Sequence, residues 1–415
     1  MNRTHRRRWP ATIRYDGREY LTTAQVAKVL GVKAETVYAY ASRGKLTSAR
    51  IAGVDGSVFA VDEVESLMTR GRRRPPAGVA ERIRTHLTLL ENDRLYYRGC
   101  EVVDLARSDS FESVANMLWH SDTEWPSSAV SRQLITGIRR LCGPQARGLD
   151  LIRVTVDVLG ARDARRHRRD RASVIDIAAS AISTSIAVLS DGSAADGSIA
   201  ERLWSALTDE PSTRRKIALL NACLVLMADH DLSAGAVASR VAASARGSAY
   251  SVIAAGLGAF DGPVHGGATT LAHRFLVGAI DDPDGTVDVE LHSGTEGTGS
   301  IPGTGHKVYR ERDPRAALIL ELLESSGGGD RRVMPAVREI IDALPDETFV
   351  NTDFVLAAMT LRYRMSADAA ETIFALARIV GWVAHALEEY DEELLRFRPE
   401  GVYVGRRAGD GRPDN

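Results

Sequence analysis

The sequence predicts a mainly α-helical protein of more than one domain, with a small winged helix-turn-helix segment near its N-terminal end. Three observations carry this. At 415 residues the chain exceeds one average domain, so two or three are expected. Two short helical stretches flank Gly31 near the start. From about residue 100 onward, hydrophobic residues recur at helical spacing almost to the end.

Hydrophobic residues make up 44% of the chain, enough for a sizeable core. No run of about 18 uncharged apolar residues appears, so no membrane span is expected. Arg6, Arg7 and Arg8 lead into Trp9 and Pro10 with no apolar stretch behind them, which is unlike a secretory signal. Cys100, Cys142 and Cys223 are scattered and odd in number, which fits reduced cytoplasmic thiols used as core filler, with no disulfide frame or metal site. The formal charge of −2 conceals an imbalance. Residues 1–79 hold 15 Lys and Arg against 7 Asp and Glu, leaving 38 against 48 for the rest. Such a split points to different partners for the two parts.

In chain order, residues 1–17 read as a basic arm without periodicity. Residues 18–69 form the next unit. Thr22 or Thr23 can cap a helix carrying Val26, Val29 and Leu30 on one face, ended by Gly31. A second helix runs from Ala34 through Arg43, with Val37 and Tyr40 on one side. Residues 45–60 alternate and contain Gly53, Asp55 and Gly56, which suits a β-wing. Asp62 is expected to cap a further helix from Glu63 to Met68. Residues 70–80, basic and proline-containing, read as a linker.

Beyond it, Ile83 to Gly99 alternates and turns at Asn92-Asp93, which predicts a short hairpin. Helical periods follow, broken at 126–129, 191–197 and 208–212. The basic cluster from Arg162 to Arg171 reads as a solvated helix face, with a coenzyme A phosphate contact as its functional alternative. Gly327, Gly328 and Gly329 read as a mobile loop.

Chemistry concentrates in residues 301–315. Gly303 and Gly305 allow close backbone approach. His306 follows them and can donate to an oxygen that gains charge. Arg310, Arg312 and Arg315 offer donors for carboxylate or phosphate. Upstream, His265 stands among Gly262, Pro263, Gly266 and Gly267 and opens a helix that continues past His273. A helix N-terminus favours neutral imidazole there. Downstream, Asp353 precedes the apolar run from Phe354, where it could equally cap a helix. His230 sits in Asp229-His230-Asp231 at the end of an apolar helix, where it could be a simple polar cap. Arg378 lies in a segment apolar nearly all round, and a buried arginine needs an anionic partner.

These segments, in this order and spacing, resemble the citrate synthase family from about Arg82 to Gly405. Leu95-Tyr96-Tyr97-Arg98-Gly99, followed by Asp104-Leu105-Ala106, resembles the opening of the synthase domain. The resemblance implies a two-domain all-helical fold over residues 81–415, with a small subdomain at roughly 268–372. It implies a condensation of acetyl-CoA with oxaloacetate. Asp353 would be the base, His265 would hold the enolate oxygen, and His306 would polarise the ketone. His230, Arg315 and Arg378 would hold oxaloacetate, and Arg398 would reach the neighbouring subunit's site, implying a homodimer at least. Gly303, Gly305 and Arg310 would meet coenzyme A. His86, His273 and His385 receive no catalytic role. No metal or redox cofactor is expected. The family pattern is altered at Ser233, Thr304, Val355 and Glu400.

Residues 18–69 resemble the winged helix-turn-helix modules of excisionase and MerR type. In such modules the second helix enters the major groove, which makes Lys33, Thr36, Arg43 and Lys45 candidate DNA contacts. A protein-contact module is the alternative. Three functions follow: citrate synthase, 2-methylcitrate synthase using propionyl-CoA, and a DNA-binding metabolite sensor.

Overall fold

The computed structural model describes residues 12–15, 18–30, 32–43, 45–51, 53–64, 83–126, 130–193, 196–263, 265–283, 285–287, 301–345 and 348–397. Gly31, the linker at 70–80, Arg398 and most of the basic arm lie outside them. The described residues divide into two compact units, one within residues 1–83 and one beginning at Arg84.

The first unit holds β1 (Ile13–Tyr15), β2 (Arg18–Thr22), α1 (Thr23–Leu30), α2 (Ala34–Ser42), β3 (Ser48–Ala49) and β4 (Val58–Ala60). Its antiparallel sheet has the order β1-β2-β4-β3, with Leu21 opposite Phe59. Thr22 starts α1 with a capping box. Its hydroxyl accepts the Gln25 N–H, and the Gln25 side chain accepts the Thr22 N–H at 2.8 Å. Leu21, Val26, Val37, Leu46, Phe59 and Val64 form the core. The first two predicted helices and the wing are present, residues 65–68 of the third predicted helix lie outside the described residues, and two expectations are corrected. The arm is shorter than read, because Ile13 to Tyr15 pair with Arg18 to Tyr20. Asp62 does not cap the third helix, which already includes Val61; its carboxylate instead meets Arg18 at 2.7 Å.

The second unit opens with the predicted hairpin, β5 (Thr88–Glu91) and β6 (Arg94–Tyr97), to which β7 (Cys100–Glu101) adds. Asn92 and Asp93 have φ of 52° and 55°, the left-handed pair that matches strand twist in a two-residue turn. The helices are α3 (Val102–Ser108), α4 (Phe111–Trp119), α5 (Arg132–Cys142), α6 (Gly148–Arg162), α7 (Arg171–Leu189), α8 (Ile199–Leu207), α9 (Arg214–Met227), α10 (Ala234–Ser244), α11 (Ala249–Phe260), α12 (Ala268–Ala279), α13 (Pro314–Ser326), α14 (Val333–Ala343), α15 (Thr352–Arg362) and α16 (Ala369–Glu389). Their starts follow local chemistry. Ser110, Asp170, Ser198, Thr213, Ser233 and Ser248 each accept a backbone N–H of the first turn.

Helix α16 is buried along almost its whole length and packs against α4, α6, α7, α9, α10, α11, α12 and α15. Burying each large side chain it carries, such as Trp382, stabilises the fold by roughly 1.5–3 kcal/mol. Helices α7 and α16 are long and apolar enough to cross a bilayer by composition, yet both belong to this core.

Three further expectations are corrected. The basic cluster is not a helix face: residues 163–170 form the loop between α6 and α7. The glycine triplet is packed: a Cβ on Gly329 would stand 2.3 Å from the Arg362 carbonyl oxygen, and Arg362 and Tyr363 donate to the Gly328 and Gly327 carbonyls. Cys100 is exposed, whereas Cys223 is core filler as read.

Candidate active site

Two cappings assemble the centre of the site. Asn351 caps α15: its side-chain oxygen accepts the Asp353 N–H at 2.9 Å. Asp353 therefore sits inside the first turn and is not the cap. The Asn351 side-chain amide donates to the Gly305 carbonyl at 2.9 Å, and its backbone N–H to the Gly303 carbonyl at 2.9 Å. The glycine loop is thus bound to the turn that presents Asp353. Gly303 has φ 83°, and a Cβ there would stand 2.8 Å from that of Phe354, so only glycine suits the position.

Asp313 caps α13, with Pro314 in its first turn. Its carboxylate also takes two donors of Arg315, Nε at 3.0 Å and Nη2 at 2.8 Å. Both side chains are buried, and Arg315 Nη2 reaches to 3.5 Å from His306 Nε2. His306 Nδ1 accepts the backbone N–H groups of Val308 at 3.1 Å and Tyr309 at 3.4 Å. A neutral ring accepting at Nδ1 carries its proton on Nε2. His230 stands edge-on to His306 with ring centroids 5.2 Å apart, and its Nε2 lies 3.1 Å from the Tyr309 hydroxyl.

Arg378 comes from α16. Its Nε donates to the Met227 carbonyl at 2.7 Å, its guanidinium stacks on Phe374, and its Nη2 is buried with no hydrogen-bond partner. A buried donor left unpaired is costly, so this nitrogen marks a place for an anion. Behind it lies Asp229, fully buried. Thr88 donates to one carboxylate oxygen, and His385 Nε2 stands 3.3 Å from the other. Arg240 donates to His385 Nδ1 at 3.0 Å. Burial opposes ionisation of Asp229, but His385, Arg378 and Thr88 outweigh it and hold its carboxyl below the usual range. His385 is structural, as read.

Electrostatics set the protonation states. Burial pushes His306 down to about 4, helped by Arg315. Burial, helped by Arg378, brings His265 to about 4, while a contact with the Ala259 carbonyl pulls it up. Burial, then Arg315 and Arg378, hold His230 well below its ordinary value. All three rings are neutral near pH 7. Burial raises the Asp353 carboxyl to about 7, with Arg315 pulling it down and Asp313 pushing it up.

His265 lies three residues before α12, against Phe260 and Phe374 at centroid distances of 5.0 and 6.1 Å. Burial and the neighbouring Arg378 guanidinium keep it neutral. Arg310 is exposed in a cleft lined by Asn92, Asp93, Arg94 and Glu311, where the Asp93 carboxylate accepts the N–H groups of Arg310 and Glu311. Arg398 is outside the described residues.

The structure therefore brings His230, His306, Arg315 and Arg378 into mutual reach, with Asp353 coupled to Arg315 and His265 to Arg378. Sequence reasoning missed Asn351, Asp313 and Tyr309. Asp313 was findable, since Asp-Pro-Arg is a helix start in which the carboxylate meets its own second residue. In the N-terminal unit, Lys33 precedes α2 and Arg43 ends it, both exposed; Lys45 is exposed beside the Tyr40 ring, and Thr36 is half-buried.

The family model described as "Citrate synthase, C-terminal domain" matches residues 79–400, and that described as "Helix-turn-helix domain" matches residues 20–72. Citrate synthase 2 of Bacillus subtilis is 28% identical over 344 residues, covering 76% of this chain and 91% of that protein. The 2-methylcitrate synthase of Shewanella oneidensis is 28% identical over 337 residues, covering 75% and 88%. A solved ternary complex of Thermoplasma acidophilum citrate synthase with carboxymethyl coenzyme A and oxaloacetate aligns with a TM-score of 0.68 at 25% identity, covering 81% of this chain and 97% of that one. With a matched segment of this length and the same all-helical fold, the chain belongs to the citrate synthase family, as an acyltransferase that converts the acyl group to alkyl on transfer, and it carries a helix-turn-helix domain at its N-terminal end.

Proposed function

We propose that this chain is a citrate synthase that condenses acetyl-CoA with oxaloacetate to citrate and coenzyme A. The observation that carries the reading is the unpartnered, buried Nη2 of Arg378, set among neutral histidines. It suits a carboxylate, and Arg315 and His230 stand ready for the rest of a small dianion. Asp353 removes a proton from the thioester methyl group, a task suited to a carboxylate near pKa 7. His265 hydrogen-bonds the enolate oxygen, for which its single N–H must leave the Ala259 carbonyl. The enolate carbon attacks the ketone carbon of oxaloacetate and forms a C–C bond. His306, protonated on Nε2, donates to the ketone oxygen as it becomes an alkoxide. Water then cleaves the citryl-thioester to citrate and free thiol.

Arg398 would complete the neighbouring subunit's site in a homodimer. Gly303, Gly305 and Arg310 would face coenzyme A. The reaction draws on side chains alone, without metal or redox cofactor, and the cytoplasm is the compartment proposed for it.

Propionyl-CoA differs by one methylene, worth only about 1–3 kcal/mol of discrimination. Thiol release with oxaloacetate and each acyl-CoA tests both forms. Faster release with propionyl-CoA would make the chain a 2-methylcitrate synthase. Ligand binding without release would leave a metabolite sensor.

A second reading concerns the N-terminal unit. The solvent face of α2 and its flanks present Lys33, Tyr38, Ser42, Arg43 and Lys45. We infer that this face binds duplex DNA, with Thr36 at its edge. Duplex binding should weaken linearly with the logarithm of salt, by a slope of about 0.9 per phosphate contacted. Retention of full affinity after joint replacement of Lys33, Arg43 and Lys45 by alanine would refute it.

A further inference from the structure

Three residues assigned above to oxaloacetate meet on one that has no assignment. Tyr309 is only 2% exposed. Its hydroxyl is 3.1 Å from His230 Nε2. Its ring centroid is 4.7 Å from that of His306 and 5.6 Å from that of His230. The Arg315 guanidinium carbon lies 5.2 Å from the same centroid. Its backbone N–H, with that of Val308, determines which nitrogen of His306 is protonated.

Other tyrosines direct their hydroxyls elsewhere: Tyr97 and Tyr390 donate to the carbonyls of Asp229 and Gly247 at 2.8 and 2.7 Å, and Tyr250 donates to the Asp163 carboxylate at 3.1 Å. Tyr309 directs its hydroxyl to a partly buried histidine of the site instead, and its ring lies against those of His230 and His306.

We propose that Tyr309 is a positioning residue for oxaloacetate: its hydroxyl orients His230, and its ring and backbone hold His306 with Nε2–H toward the keto oxygen. This rests on the reading that the site takes oxaloacetate. The hydroxyl acts on affinity through His230, and the ring acts on the chemical step through His306. The acyl-CoA side, served by His265 and Asp353, is left untouched.

Tyr309→Phe removes the hydroxyl and keeps the ring. Oxaloacetate binding, measured by calorimetry on the full chain, should weaken about 3–10-fold, the scale of one neutral hydrogen bond. KM for acyl-CoA should stay unchanged. Tyr309→Leu should lower kcat as well. In a double-mutant cycle with His230→Gln, the Tyr309→Phe effect should vanish, because both changes break the same contact. Wild-type oxaloacetate affinity in Tyr309→Phe, or additive effects in the cycle, would overturn the proposal. A uniform loss in both substrates together with a lowered melting temperature would mark a structural role and also overturn it. Should the wild-type chain bind no oxaloacetate, the functional reading fails separately. The ¹⁵N resonances of His230 then decide the Tyr309 contact, which is refuted if they are the same in wild type and Tyr309→Phe.

Discussion

His306 and His265 share one site and are both pushed down to about 4, yet they are held in different ways. His306 has Nδ1 bound by two backbone N–H groups and its ring against Tyr309 and His230. His265 lies between Phe260 and Phe374, touching a single carbonyl. Asp353 resembles His265 in this respect: none of the described side chains donates to its carboxylate at hydrogen-bond distance. One half of the site is oriented and the other is desolvated. A group that polarises a carbonyl must point accurately, because its donor has to meet the charge where it develops. A base that attacks a weak carbon acid gains most from being kept away from water and counter-charge.

The largest effect expected from this contrast falls on the desolvated half. Asp353→Asn should lower kcat by about 10²–10⁴-fold while oxaloacetate affinity stays near wild type. Thiol release and calorimetry together check this, and retained turnover would place the base elsewhere. Next comes the oriented half. Arg378→Lys keeps the charge but loses the planar fork, so oxaloacetate affinity should fall by about 10–100-fold with KM for acyl-CoA unchanged. Equal losses for both substrates would erase the division between the halves.

The smallest effects are those of pH. Asp353 must be ionised to act, so kcat/KM should fall about tenfold per pH unit below a pKa near 7. Stability carries the opposite signs of the two kinds of group. Asp353 has a folded pKa raised above the ordinary 3.8, so the native state holds the extra proton and its share of stability declines as pH rises from about 4 to 7. His265 and His306 are lowered from 6.5 to about 4, so the unfolded chain holds the extra protons and their share is lost as pH falls through that window. The melting temperature of Asp353→Asn should therefore climb more steeply with pH between about 4 and 7 than that of wild type. Parallel curves would mean that Asp353 is not desolvated in the native state.

Much of the fold was legible from local patterns. The hairpin turn at Asn92-Asp93, the helix cap at Thr22 or Thr23 and the all-buried segment around Arg378 depend on neighbours within a few residues, and each is present, with Thr22 as the cap. The errors have a common cause. Arg162 to Arg171 read as a solvated helix face, but Asp163 and Asp170 mark the ends of two helices and leave a loop between them. The glycine triplet looked free, yet Arg362 and Tyr363, more than thirty residues away, bind its carbonyls. Asp353 looked able to cap its helix, but Asn351 does so, which frees the carboxylate for the site.

Sequence alone determined which residues could carry chemistry here, because histidines among glycines, an acid before an apolar run and an arginine within one are chemical facts of short segments. It also determined the mainly helical class and the separate basic module at the N-terminal end. Tertiary structure decided what those residues are. Burial made three histidines neutral and raised one carboxyl, and neither effect exists in an extended chain. Asn351, Asp313 and Tyr309 gained their roles only when residues from separate helices and loops met, since a hydrogen bond of about 3 Å demands a placement that spacing along the chain cannot specify.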